Sequence, residues 1–499
     1  MTAEFLRRVV VVALLLVVLP SVGAAVAAPA AQGVDPAAVD RYMSEYLSRT
    51  RLPGASIAIT HGDRIVYVAG YGHDSSGAAI SATTRMPIAS VSKSMTALAV
   101  MQLVDAGKVR LDAPVRDYVT DFRLADSRGD RITVRELLNQ TSGMSDTAFP
   151  DLRRPQADSL AGAVERLHAA KLAADPGTEF HYHNPNYQVA ARLVEVVSGE
   201  PFADYVWRNI FGPIGMRDST TVNSARDAED VTHGYIRAYG FAIPVAEPDW
   251  FVGGSHGVIT TATDLAAWLI TQNNGGVAPD GRRVVSSAAV TDMHTPSGVS
   301  DDDYGMGWER AQSDQIVHYG DWFTYTAAQV LVPDTGYGIA VIADTGLALE
   351  DDPKIIAQGL VELTQGESPD VHRPWGIYAD RGMALLTLAT IGVGGFCLVR
   401  SRRWADRQDR PIWLIAVREL PYLAPIPIMI ALPELAGLVF RGRAPTFLQV
   451  TYVWPGLVVF LGIAALAGVC VVLARGGWLI VSRRNRSGTD VEPETPVTG

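Results

Sequence analysis

Cysteine is almost missing from this 499-residue chain: only Cys397 and Cys470 occur, both in apolar stretches near the C-terminus. A disulfide framework, a thiolate nucleophile and a Cys-ligated metal are therefore excluded for residues 1–380. Lysine is nearly as scarce, since Lys93, Lys108, Lys171 and Lys354 are the only lysines among 42 Lys and Arg residues. The net charge is −11, and basic clusters of the kind that hold phosphate are lacking, which excludes nucleic acid as a partner. No H-E-x-x-H pattern occurs either, and His181 and His183 flank a tyrosine at i,i+2 rather than at a metal-binding spacing. Asp301-Asp302-Asp303 lacks the rest of a calcium loop and reads as a solvated turn. No metal and no cofactor is expected.

What is present divides the chain. Arg7-Arg8 precede the apolar run Val9–Leu19 and a small-residue stretch reaching Ala30, the pattern of a secretory signal peptide over residues 1–30. Left uncleaved, it would be an anchor, and the part that follows would be exported all the same. Three apolar stretches near the C-terminus, Gly382–Val399, Leu420–Phe440 and Phe447–Ala474, are long enough to span a bilayer. Arg400, Arg402, Arg403, Arg407 and Arg410 follow the first, whereas only Arg441 and Arg443 separate the second and third. Arg475, Arg483, Arg484 and Arg486 follow the third. The positive-inside rule then puts 400–410 and the tail in the cytoplasm and the large N-terminal part outside. Arg418 and Glu419 read as an ion pair at the boundary of the second span. The organisation expected is a signal peptide (1–30), an exported folded domain (36–365), a linker (366–380), a membrane domain with three transmembrane helices (381–481) and a cytoplasmic tail (482–499).

Within 36–365, Pro36–Arg49 has the spacing of an amphipathic helix. Ala55–Thr60 and Ile65–Ala69 flank His61-Gly-Asp-Arg64 as one hairpin, and Ala327–Val332 and Gly338–Ala343 flank Pro333-Asp-Thr-Gly336 as another. Hairpins at both ends with helix-rich sequence between predict an α+β domain whose ends share one antiparallel sheet. Between them, the segment after Ser90 is apolar nearly all round (Met95, Leu98, Val100, Met101, Leu103, Val104), so it reads as a buried helix stopped by Gly107. Ser90 and Lys93 stand three apart at its start and share a face. A neutral Lys can take a hydroxyl proton where Arg cannot, so the pair reads as an activated acyl-transfer nucleophile. The Ser90 N–H, at the helix start, would be half of an oxyanion hole. Capping of the helix by Ser90 or Ser92 is the plainer reading of the pair taken alone.

Further motifs carry a resemblance. Met86–Gly107 with Val109-Arg-Leu-Asp-Ala-Pro114, Leu137-Leu-Asn-Gln-Thr-Ser-Gly-Met144, Phe180-His-Tyr-His-Asn-Pro-Asn-Tyr187, Gly253-Gly-Ser-His-Gly-Val-Ile-Thr-Thr-Ala-Thr-Asp264, Tyr304-Gly-Met-Gly-Trp308 and His318-Tyr-Gly320 follow one another in order. Together they resemble the serine β-lactamase/penicillin-binding-protein superfamily over about residues 36–365, nearest its class C-related esterase and D-aminopeptidase-like branch. The resemblance implies a β-lactamase/transpeptidase-like domain, an antiparallel sheet flanked by helices with an all-α subdomain. It implies that Ser90 is the nucleophile, with Lys93 and Tyr182 sharing the proton and Asn184 positioning Lys93 and a substrate amide. Gly320 would let the third-motif strand approach the substrate, and the Asp321 N–H would be the second oxyanion donor. His318 stands where class C β-lactamases have Lys-Thr-Gly, and at an ordinary pKa it is about a quarter charged at pH 7. That points away from a dedicated β-lactamase, with penicillin hydrolysis at most a minor activity. Thr324-Tyr325 replaces the family's Gly-aromatic pair, leaving that wall of the pocket undefined.

The function expected is a membrane-tethered, extracytoplasmic serine hydrolase cleaving an ester, amide or D-amino-acid peptide bond in a small-molecule or peptidoglycan-like substrate. The alternatives are a penicillin-acylated transmembrane receptor without turnover and a non-catalytic binding module. No protein partner is indicated.

Overall fold

The computed structural model describes residues 33–299, 303–311, 314–346, 351–439 and 445–488. The signal-peptide reading of 1–30 and most of the tail lie outside these residues, as do Asp301 and Asp302. The helices that matter here are α1 (Pro36–Thr50), α2 (Ser92–Asp105), α3 (Asn184–Ser198), α4 (Ala262–Asn273), α5 (Asp352–Thr364) and α6 (Trp375–Asp406). Towards the C-terminus follow α7 (Ile412–Leu423), α8 (Pro425–Ile430), α9 (Leu432–Val439), α10 (Phe447–Val453) and α11 (Pro455–Gly488).

The two terminal hairpins meet as expected. Strands β1 (Gly54–His61) and β2 (Arg64–Gly72) form the first, β10 (Thr326–Val332) and β11 (Tyr337–Ala343) the second, and β1 pairs antiparallel with β11 from Ala55↔Ala343 to His61↔Tyr337. With β8 (Glu309–Arg310) and β9 (Ile316–Asp321) the sheet order is β2-β1-β11-β10-β9-β8, while β3 (Met86–Pro87), β7 (Val258–Thr260) and β4 (Thr220–Thr221) form a small second sheet and β5 (Gly234–Ala238) pairs with β6 (Phe241–Val245). Alternation along the strands splits their side chains between two faces. Ile57, Ile59, Val330, Ile339 and Val341 pack towards α1 and α5, while Ala58, Ala327, Leu331, Ala340 and Ile342 join the larger core that includes α2 and α4. From Ser92 to Ile214 every described element is helical, and this all-α part packs on the second face. The fold is a β-lactamase/transpeptidase-like domain followed by a helical C-terminal region. The helix α2, apolar on every side in sequence, is buried from Ser92 through Met101.

Three helical segments are long and apolar enough to cross a membrane: Trp375–Asp406, Ile412–Ile430 and Pro455–Arg486. The second and third are displaced from the expected Leu420–Phe440 and Phe447–Ala474. The reason is electrostatic. Arg418 and Glu419 read as a boundary in sequence, but Glu419 accepts two hydrogen bonds from Arg475 on α11 at 3.0 and 3.1 Å, and both side chains are about nine-tenths buried. The Arg475 guanidinium also stacks on Trp404 and Tyr422. A charge neutralised inside the bundle no longer marks a helix end. Residues 432–439 and 447–453 form the short helices α9 and α10, which contact the β-lactamase-like domain through Glu434 and Tyr452.

Candidate active site

The site begins with a strained turn. Ala89 sits at φ +47°, a left-handed conformation that costs a residue bearing a Cβ about 1–2 kcal/mol. Neighbours hold it there: the Ile88 N–H donates to Val258 O at 3.0 Å and the Val91 N–H to Ile88 O at 3.1 Å. The chain then makes a short 3₁₀ turn, Ala89–Val91, before α2 begins at Ser92. Ser90 therefore lies just outside the regular helix, nearly buried at 6% exposure. Such strain is kept where the surroundings over-determine the backbone, commonly at functional sites.

Lys93 is fully buried. Its Nζ donates to Ser90 Oγ at 2.9 Å and to the Ser255 carbonyl at 3.0 Å. The Tyr182 ring centroid lies 4.9 Å from the same Nζ and that of Tyr187 5.8 Å away. The Ser–Lys pair and Tyr182, separated by about 90 residues of sequence, are thus brought together. Asn184 opens α3 and is buried, with its Oδ1 left without a hydrogen-bond partner. The expected Lys93-to-Asn184 hydrogen bond is absent at Oδ1.

Gly320 is forced by packing. A Cβ there would stand 2.2 Å from Ile88 O and 3.1 Å from Ser90 N, so β9 lies directly against the Ala89–Ser90 turn with no room for any side chain. Asp321 ends the same strand, with its side chain exposed. This places the two backbone segments that carry the candidate oxyanion donors side by side.

His318 departs from expectation. It is 2% exposed, its Nδ1–H donates to Tyr319 O at 2.8 Å, and its Nε2 accepts from the Tyr304 hydroxyl at 3.2 Å. Burial first, and the Lys93 charge second, depress its pKa to about 3. It is neutral at pH 7 rather than a quarter charged, because burial removes the water that would stabilise an imidazolium. His318 therefore cannot supply the cation that Lys supplies in class C β-lactamases.

Sequence reasoning assigned no role to Tyr304, Ser255 or Gly307, although all lie in the quoted motifs. Tyr304 is buried, packs edge-on to Tyr182 at 6.0 Å and holds His318. Gly307, at φ +74°, brings its loop onto α2, where a Cβ would meet Ser94 N at 2.6 Å. Glu247 carried no motif at all. Its carboxylate accepts from Phe323 N, Thr324 N, Thr324 Oγ1 and Trp250 Nε1 at 2.6–3.0 Å, fixing the turn after β9. Among the described residues no cluster of His, Cys, Asp or Glu has the makings of a metal site.

A buried Ser–Lys pair under a Gly-bearing strand, on an α+β scaffold of this topology, defines the class as β-lactamase/transpeptidase-like. The Beta-lactamase family model matches residues 39–360, and the chain belongs to that family. It is similar to "Penicillin-binding protein 4" of Amycolatopsis lactamdurans, 30% identical over 343 residues that cover 65% of this chain and 89% of that one. It is also similar to "Protein flp" of Staphylococcus aureus (strain MW2), 26% identical over 327 residues covering 64% of each chain. Among solved structures, the octameric penicillin-binding protein homologue from Pyrococcus abyssi superposes with a TM-score of 0.57 at 25% identity, covering 70% of this chain and 81% of that one. EstCE1, a hydrolase with promiscuous acyltransferase activity, shares the fold at a TM-score of 0.53 and 18% identity, covering 62% and 93% of the two chains.

Proposed function

We propose that the protein is a membrane-tethered, extracytoplasmic serine hydrolase that works through an acyl-enzyme on Ser90. One observation carries the reading: the only lysine among the motif residues is fully buried and donates to the Ser90 hydroxyl at 2.9 Å, beside Tyr182. Proton transfer to Lys93 or Tyr182 activates Ser90 Oγ, which bonds to the substrate carbonyl carbon. The oxygen that becomes negative is met by the N–H groups of Ser90 and Asp321, each worth about 2.7–4 kcal/mol to such a transition state. The leaving alcohol or amine departs with the proton, and water, deprotonated by the same pair, releases the acid and frees Ser90.

The neutral His318 favours ester, amide or D-amino-acid peptide substrates over carboxylate-bearing drugs that need a cation there. The arginine distribution around the three apolar helices supports an outward-facing catalytic domain. The test uses the full chain in detergent with a chromogenic ester and a fluorescent penicillin. Ester turnover lost in Ser90→Ala is the expected result. A stable penicillin adduct without turnover of any substrate would instead support a receptor, and no reaction with either probe would refute both readings.

A further inference from the structure

A single bilayer helix would tether a hydrolase, so three apolar helices call for another explanation. The segment joining the second and third, α9 to α10, reaches the catalytic domain at two places, and each continues to a different side of the candidate site.

On one side, the Tyr452 hydroxyl of α10 donates to Ala246 O at 3.1 Å, and its ring packs edge-on against Phe323 at 5.8 Å. Ala246 precedes Glu247, whose carboxylate binds the two backbone N–H groups of Phe323 and Thr324 and the Thr324 hydroxyl. That turn follows Gly320 and Asp321 within three residues, and Trp322 is fastened in turn by its indole N–H to His256 O at 3.0 Å. On the other side, Arg153 donates to Glu434 of α9 at 2.9 Å and to Pro445 O at 3.1 Å. Arg153 belongs to the loop that carries Asp146, whose carboxylate lies 3.3 Å from the fully buried His183 Nδ1. His183 separates Tyr182 from Asn184.

We infer that the α9–α10 segment of the membrane domain is a positioning element of the acylation site, bracing the β9 turn through Tyr452 and Glu247 and the Tyr182–Asn184 segment through Arg153. The two contacts differ in strength. The Arg153–Glu434 pair is half-exposed, and such pairs contribute about 0–1 kcal/mol. The Tyr452–Phe323 contact is aromatic and backed by a carboxylate with four donors, so the principal brace is Tyr452 with Glu247. Neither residue touches substrate. Both act through the backbone of 320–324.

The inference rests on the proposed acyl-transfer chemistry, and its test separates the two. The full chain is placed in phospholipid nanodiscs as wild type, Tyr452→Phe, Tyr452→Ala, Glu247→Gln and Ser90→Ala. Chromogenic-ester kinetics are recorded together with amide hydrogen exchange at 322–324. Tyr452→Ala and Glu247→Gln are expected to lower kcat at least about tenfold with KM within about twofold, since the lost alignment is felt in the transition state. Exchange at Phe323 and Thr324 is expected to rise in both. Tyr452→Phe, which keeps the ring and loses the hydroxyl, should recover most of kcat. Unchanged kcat and unchanged exchange in Tyr452→Ala would overturn the inference, as would a fall in melting temperature with kcat intact. Ester turnover surviving in Ser90→Ala would instead overturn the nucleophile assignment, leaving the exchange data to judge the brace.

Discussion

Gly320→Ala tests the geometry of the site directly. The new Cβ would lie 2.2 Å from the Ile88 carbonyl oxygen, whereas ordinary contact begins near 3.4 Å, so strand or turn must separate by about 1 Å. The atom in the way is backbone, in a turn already strained at Ala89, and no rotamer change relieves the clash. A displacement of about 1 Å between nucleophile and oxyanion donors costs about a hundredfold in rate. Loss of one donor costs about 2.7–4 kcal/mol, or 10²–10³ in kcat, so the two estimates agree. Because these bonds strengthen only as charge develops, kcat is expected to fall with KM little changed. Steady-state hydrolysis of a chromogenic ester measures both, and circular dichroism at the assay temperature establishes that the variant is folded. A folded Gly320→Ala protein with kcat within about threefold of wild type would refute the placement of β9 as the oxyanion wall.

Three other perturbations follow from the same contacts. Lys93→Arg keeps a charge but cannot accept a proton, and Lys93→Met keeps the volume without the nitrogen; both should lower acylation by about 10²–10⁴, read as the rate of labelling by a fluorescent penicillin or phosphonate. A labelling rate like wild type in either would remove Lys93 from the chemistry. The depressed pKa of His318 means that its neutral form is favoured on folding, so its contribution to stability is full above about pH 6.5 and is lost as pH falls towards 3. Between pH 7.5 and 4.5 the wild type should lose about 2–3 kcal/mol more than His318→Gln in urea unfolding, and equal losses would show that the imidazole is not held neutral. Glu419→Ala leaves Arg475 buried without its acid, at a cost of about 3–5 kcal/mol, whereas the double variant Glu419→Leu/Arg475→Leu should be close to wild type in a thermal melt in detergent. A single variant as stable as wild type would mean that the pair is solvated.

Much of this protein is local enough to be legible in one dimension. The period-2 runs around His61–Arg64 and Pro333–Gly336 predict both terminal hairpins to within three residues at each end, because turn chemistry and alternation are short-range properties. The all-apolar segment after Ser90 announces its own burial, and the i,i+3 spacing of Ser90 and Lys93 already implies that the two side chains meet. The strained Ala89 and the start of α2 at Ser92 were not legible, since they depend on the hydrogen bond that the Ile88 N–H donates to Val258 O and on β9 pressing against Ile88. The helical bounds of the second and third apolar segments were not legible for a similar reason: hydropathy counts Glu419 and Arg475 as charges and does not register their pairing between helices.

The sequence by itself determined the α+β class, the sharing of one sheet by the chain ends, and the meeting of Ser90 with Lys93, because each follows from periodicity, spacing or ordered motifs. Tertiary structure decided the rest. Burial makes His318 neutral, contact with Ile88 makes Gly320 obligatory, and four donors gathered from two segments give Glu247 a role that no motif encodes. It also brings α9 and α10 against the β-lactamase-like domain. These outcomes depend on which distant groups share a low-dielectric space, and a linear pattern does not contain that information.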